Sequence, residues 1–112
     1  MKVLSTEKEG VTVGQVDSRV LDASTARAFK DAITPLLTDE AEVVLDLSKI
    51  EFIDSSGLGA LVSCLRQAHA AGGEIKLSGL SKPARALFEL VRMHRVFEVF
   101  NNLDEAVSSY HA

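Results

Sequence analysis

Between Val43 and Ser78 the sequence sets out a strand, a helix and a second strand in immediate succession. Val43-Val44-Leu45-Asp46-Leu47 is a β-rich apolar run, the pattern of a strand buried on both faces. From Ser55 to Ala71 the residues Leu58, Leu61, Val62, Leu65 and Ala68 recur at helical spacing and form one apolar stripe. Gly72-Gly73 stops that helix with the residue type that tolerates a left-handed C-cap, and Ile75 to Ser78 resumes as a strand. Strands joined through a helix run parallel in one sheet, so this stretch alone points to an α/β fold.

The alternation continues in both directions. Val3 to Glu7 and Val11 to Val16 read as two short strands of a hairpin turning at Lys8-Glu9-Gly10. Asp22-Ala23-Ser24-Thr25 is a cluster of N-cap types, and Ala26, Phe29 and Ile33 follow at helical spacing until Pro35 ends or kinks the helix. Ser81 can cap a third helix, with Pro83 tolerated in its first turn and Ala84, Leu87, Phe88 and Val91 facing inward. Val96 to Phe100 reads as a last short strand. A C-terminal helix then carries Leu103, Ala106, Val107 and Tyr110 on one face. The order ββαβαβαβα predicts a mixed, mostly parallel sheet flanked by helices. No repeat or linker-like stretch divides residues 1–112, so one domain is expected.

Composition narrows the function classes. Apolar residues make up 46% of the 112, charged residues 25%, and the net charge is −4, without the concentrated basic face of a nucleic-acid binder. The lone Cys64 can form no internal disulfide and no thiolate metal site by itself, and no His/carboxylate pair has metal-ligand spacing. No metal or cofactor is therefore expected. No apolar run approaches the roughly 20 residues of a membrane span. Residues 1–9 turn charged before a signal-peptide core can form, so the expectation is a small acidic cytoplasmic domain.

The chemically informative stretch runs from Asp46-Leu47-Ser48 to Phe52-Ile53-Asp54-Ser55-Ser56-Gly57-Leu58-Gly59. Here a helix opens on hydroxyls and two glycines, although Gly costs about 1 kcal/mol relative to Ala in a helix interior. Such a cost is accepted where something must approach the backbone closely. A helix N-terminus also favours anions, so a phosphate on Ser55 would find local support. An equally good reading is that Asp54 or Ser55 simply caps the helix while Gly57 and Gly59 permit tight packing. Catalytic motifs fare worse. A nucleophile elbow lacks its leading Gly, because Ile53 and Asp54 precede Ser55. No Gly-Lys-Ser/Thr follows Gly57, and Val62 occupies the third glycine position of a dinucleotide fingerprint. His69, His94 and His111 pair with no acid and serine at triad spacing, Asp39-Glu40 and Asp104-Glu105 read as solvated charges, and Cys64 reads as a small apolar packing residue. No catalytic constellation is visible.

Those residues resemble the signature of the STAS domain, as found in bacterial anti-sigma factor antagonists. The resemblance extends to Leu21-Asp22-Ala23-Ser24-Thr25-Ala26, to Gly72-Gly73-Glu74-Ile75, and to Lys82-Pro83-Ala84 through Leu87-Phe88, so it covers essentially the whole chain. Where the family has a Gly about two residues before the Leu-Asp segment, Ser18-Arg19 stands here, and Pro35 is a further departure. The resemblance implies a partner switch. Ser55 would be phosphorylated by an anti-sigma factor that is also a serine kinase, and a serine phosphatase would reset it. The unphosphorylated protein would bind the anti-sigma factor and free the sigma factor. The implied binding face comprises Asp22 and Thr25 before the first helix and Asp54, Ser56, Gly57, Leu58 and Gly59 at the second. An accessory subunit of a lipid-transporting membrane complex is the alternative. A small enzyme or nucleotide binder ranks last.

Overall fold

In a computed structural model, which describes residues 1–112, the chain opens with a tight hairpin. Strands β1 (Lys2–Lys8) and β2 (Val11–Asp17) pair antiparallel with Lys8 opposite Val11. The two residues between them, Glu9 and Gly10, both take positive φ (54° and 80°), the geometry that matches such a turn to the strand twist. A two-residue strand β3 (Val20–Leu21) follows, then α1 (Ala26–Ile33). Pro35 sits in a short 3-10 turn, Thr34–Leu36, directly after that helix. The rest of the chain is β4 (Glu42–Asp46), β5 (Phe52–Ile53), α2 (Ser55–Ala70), β6 (Glu74–Ser78), α3 (Lys82–Leu90), β7 (Val99–Phe100) and α4 (Leu103–Ser109).

The main sheet has the order β1-β2-β4-β6-β7, with every pair parallel except the hairpin. This is the mixed, mostly parallel α/β sheet expected from the sequence. The two short strands β3 and β5 form a separate parallel pair that the expected order lacked. Two residues are too few to leave a period-2 pattern in a sequence.

Helices α1, α2 and α3 cover one sheet face around Phe29, Ile33, Leu45, Leu61, Ile75 and Phe88, all essentially inaccessible. Helix α4 alone covers the other, where Ala106 and Val107 pack on Val11, Val13 and Val44. Its end is fixed by Tyr110, whose hydroxyl lies 2.7 Å from the Val43 carbonyl oxygen and accepts from the Val43 amide at 3.2 Å. Beside that ring the Lys76 ammonium stands 4.2 Å from the centroid and donates to Ser109 Oγ at 2.8 Å. Burial raises the Tyr110 phenol far above its ordinary range.

Two details of the second half differ from the expected pattern. Val91 is 44% exposed, because α3 stops at Leu90 and the backbone turns out at Arg92 with φ 60°. The expected strand from Val96 is reduced to β7, since a 3-10 turn at Met93–Arg95 occupies the preceding chain and buries Phe97 instead.

Cys64 is 2% exposed on the inner face of α2, where burial pushes its thiol up to about 11. At pH 7.5 the native protein is expected to resist iodoacetamide, and unfolding in urea should restore the alkylation rate of a free thiol. Equal rates in the two states would contradict this packing.

Candidate functional site

The β3–β5 pair builds the site. Val20 lies opposite Phe52 and Leu21 opposite Ile53, so the loop that opens α1 and the turn that opens α2 emerge side by side. The Asp54 amide donates to the Leu21 carbonyl at 3.2 Å, which joins the two loops directly. Asp54 is the N-cap of α2: its backbone is extended, and its carboxylate accepts from the Gly57 amide at 2.9 Å. The next amides, those of Ser55 and Ser56, have no carbonyl one turn earlier within the helix, and both residues are exposed.

Gly57 resolves one alternative left open by the sequence. It is buried, and a Cβ built there would stand 2.1 Å from the Leu21 carbonyl oxygen. The close approach to its backbone comes from β3 of the same domain, which accounts for this glycine by intramolecular packing. Gly59 is the opposite case, exposed with nothing within 4 Å of an added Cβ.

The first loop is fixed by its own side chains. The Asp22 carboxylate accepts from the Ser24 hydroxyl at 2.6 Å and the Ser24 amide at 2.9 Å. The bond from the Ser24 side chain, helped by the Ser24 and Thr25 amides and the Thr25 hydroxyl, holds the Asp22 carboxyl below its usual range. Thr25 Oγ1 accepts from the Asp22 amide at 3.0 Å and faces the Val20 carbonyl at 3.2 Å. Its hydroxyl is thus engaged within the loop and shapes it. Among nearby charges, Glu51 pairs with Arg19, both exposed.

From Ser55 an open groove of about 450 Å³ runs along α2 past Leu58, Gly59, Val62, Ser63 and Arg66. Its other wall is Val91 and Met93, from the turn after α3. The structure thus places Ser55, Ser56 and Gly59 exposed at one surface, with Leu58 buried in the core beneath it and the Asp22–Thr25 loop beside it, joined through Leu21. Two contributors escaped the sequence reading. Phe52 is 52% exposed two residues before Asp54, and Val91 turns outward into the groove. Only the exposure of the short strand and the end of α3 at Leu90 reveal them, and neither leaves a spacing pattern. No group of three or more His, Cys, Asp or Glu side chains is placed to hold a metal ion, and no helix is long and apolar enough to cross a membrane.

The arrangement, an exposed serine pair at a capped helix start beside a loop braced by Asp22 and Thr25, sits on a fold shared with known proteins. The chain belongs to the STAS domain family, whose profile matches residues 2–106. Its relatives include anti-sigma factor antagonists. The anti-sigma-B factor antagonist of Listeria monocytogenes is 32% identical over 82 residues, 72% of each chain. An anti-sigma factor antagonist of Mycobacterium paratuberculosis of known structure is 26% identical, with a TM-score of 0.86 over 99% of this chain and 94% of that one. The fold is also that of the anti-sigma factor antagonist SpoIIAA in its unphosphorylated form, with 17% identity and a TM-score of 0.74 over 98% of this chain and 96% of that one. SpoIIAA is known in a phosphorylated form as well.

Proposed function

We propose that this chain is a phosphorylatable partner-switching module acting in the cytoplasm. Unphosphorylated, it binds an anti-sigma factor that is also a serine kinase and so releases the sigma factor. Phosphorylated on Ser55, it lets the anti-sigma factor go until a serine phosphatase removes the group. The partner meets the start of α2, namely Asp54, Ser55, Ser56, Leu58 and Gly59, with the Asp22 and Thr25 loop at its side. Gly57 contributes by seating the helix.

One observation carries this reading. Ser55 is exposed at the first position of α2, next to its capping Asp54 and at the mouth of the groove. There the kinase needs no unfolding to reach the hydroxyl, and the helix N-terminus accommodates the anion that results. The chain itself supplies no catalytic group in this scheme: the Ser55 oxygen attacks the γ-phosphorus of ATP held by the kinase, the bond to the β–γ bridging oxygen breaks, ADP leaves, and a base of the kinase takes the hydroxyl proton. The relatives named above support the class of partner.

Labelling with ATP and the cognate kinase tests it. Ser55→Ala is expected to abolish incorporation, whereas Ser56→Ala should only slow it. Full labelling of Ser55→Ala protein would sink the assignment.

A further inference from the structure

We propose that the free edge of β1 pairs with the same strand of a second copy of this chain, antiparallel and with Leu4 opposite Leu4, so that two five-stranded sheets become one. The pairing is independent of the partner-switching reading. The main sheet ends on β1 at one side and on β7 at the other. Strand β7 has two residues, too few to template a neighbour. Strand β1 runs over seven, and every one of them except Val3 is exposed.

The hairpin decides which backbone groups are free. Its two-residue turn makes Lys8 and Val11 a pair that exchanges both hydrogen bonds. The unbroken register repeats that exchange for Thr6 with Val13, Leu4 with Gln15 and Lys2 with Asp17. The amides and carbonyls of the intervening Val3, Ser5 and Glu7 therefore point away from β2, and no turn or loop of the domain takes them up. Such a row of unpaired groups is what an added strand requires.

Symmetry selects the occupant and the register. Two copies related by a two-fold axis keep equivalent side chains on the same sheet face, so residues opposite each other must both be even-numbered or both odd-numbered. With Ser5 on the axis, Lys2 would stand opposite Lys8, and like charges directly opposite destabilise a pair. With Leu4 on the axis, Lys2 stands opposite Thr6, and Val3 exchanges both hydrogen bonds with Ser5 of the second copy. Lys8, held by Asp104 at 2.5 Å, then lies beyond the paired residues. Leu4 is 46% exposed and packs in neither apolar cluster, although it shares the sheet face of Val11 and Val13. The strand thus carries its own match, including an apolar contact at the axis, which a foreign strand would have to supply separately.

Sedimentation equilibrium is expected to show the monomer when dilute and a mass rising toward twice that value at millimolar protein. Over the same range the amide exchange of Val3 and Ser5 should slow severalfold, while that of Leu4 and Thr6, already bonded to β2, stays constant. Ser5→Pro deletes an outward amide, a change that an edge strand tolerates, and Leu4→Lys sets two cations on the axis. Each variant should remain monomeric, with the Tm of the dilute protein within a few degrees of the parent. Disulfide trapping with diamide reads the register: Leu4→Cys should cross-link at least tenfold faster than Thr6→Cys, with Cys64 buried in both. A chain that stays monomeric at millimolar concentration overturns the pairing and leaves the edge to a strand of another protein. A dimer that persists in both folded variants places the contact elsewhere and overturns it too, and equal trapping at positions 4 and 6 overturns the register.

Discussion

Gly57→Ala is expected to destabilise the domain by about 3 kcal/mol, at the upper end of the usual cost of forcing a methyl group into packed structure. The added Cβ would meet the Leu21 carbonyl oxygen at 2.1 Å and its carbon at 2.8 Å, and both are backbone atoms that cannot swing aside. Relief requires α2 to lift off β3, which also stretches the bond from the Asp54 amide to the Leu21 oxygen. Thermal unfolding should show a Tm lower by about 10 °C or more. Gly59→Ala, one turn-face away in open space, should instead gain up to about 1 kcal/mol from helix propensity. Equal stability of the two variants would remove Leu21 as the reason for Gly57.

Phosphorylation of Ser55 is expected to lower affinity for the anti-sigma partner at least tenfold while leaving the Tm nearly unchanged. The group adds about −1.5 to −2 charges near neutral pH, taking the net charge from −4 to about −6. Within the domain, the start of α2 offsets the repulsion from Asp54 by about 0.3–1 kcal/mol at this exposed position. At the interface the same anion must be stripped of water, and without a matching cation it stays unpaired. A tenfold loss needs only about 1.4 kcal/mol. Calorimetry of the purified phosphoprotein and a binding titration separate the two effects. A large fall in Tm would mean that the switch works by unfolding, and undiminished binding would remove the electrostatic mechanism altogether.

The parts of this molecule that were legible in its sequence are those where one physical rule acts alone. The α2 stripe, the hairpin turn at Glu9-Gly10 and the Ser81 cap each declare themselves within a few residues. Ser81 indeed accepts from the Ala84 amide at 3.3 Å. The exposed start of α2 at Ser55, behind the Asp54 cap, was legible for the same reason, since helix starts are written locally. What stayed hidden depends on residues far apart in the chain. The β3–β5 pair couples residues 20–21 to 52–53, and no local pattern announces a contact over that separation. The approach of Leu21 to Gly57 was hidden in the same way, being a contact across 36 residues. Val91 continues the apolar spacing of α3, so it read as core. Its exposure follows from where the helix stops, a boundary set by the left-handed Arg92 and not by any residue type that ordinarily ends a helix.

Tyr110 carries a consequence for how the protein is made. Its hydroxyl ties the end of α4 to Val43, near the start of β4, and α4 is the only helix over Val11, Val13 and Val44. A nascent chain emerging from the ribosome therefore presents β2, and later β4, with one apolar face open to water until residue 110 is free. The earlier elements can pair as they appear, but that face is sealed only by a helix that follows all of them in the chain. Ribosome pausing before codon 103 would hold the chain in a state with these valines exposed, and slow synthesis there should favour aggregation over folding.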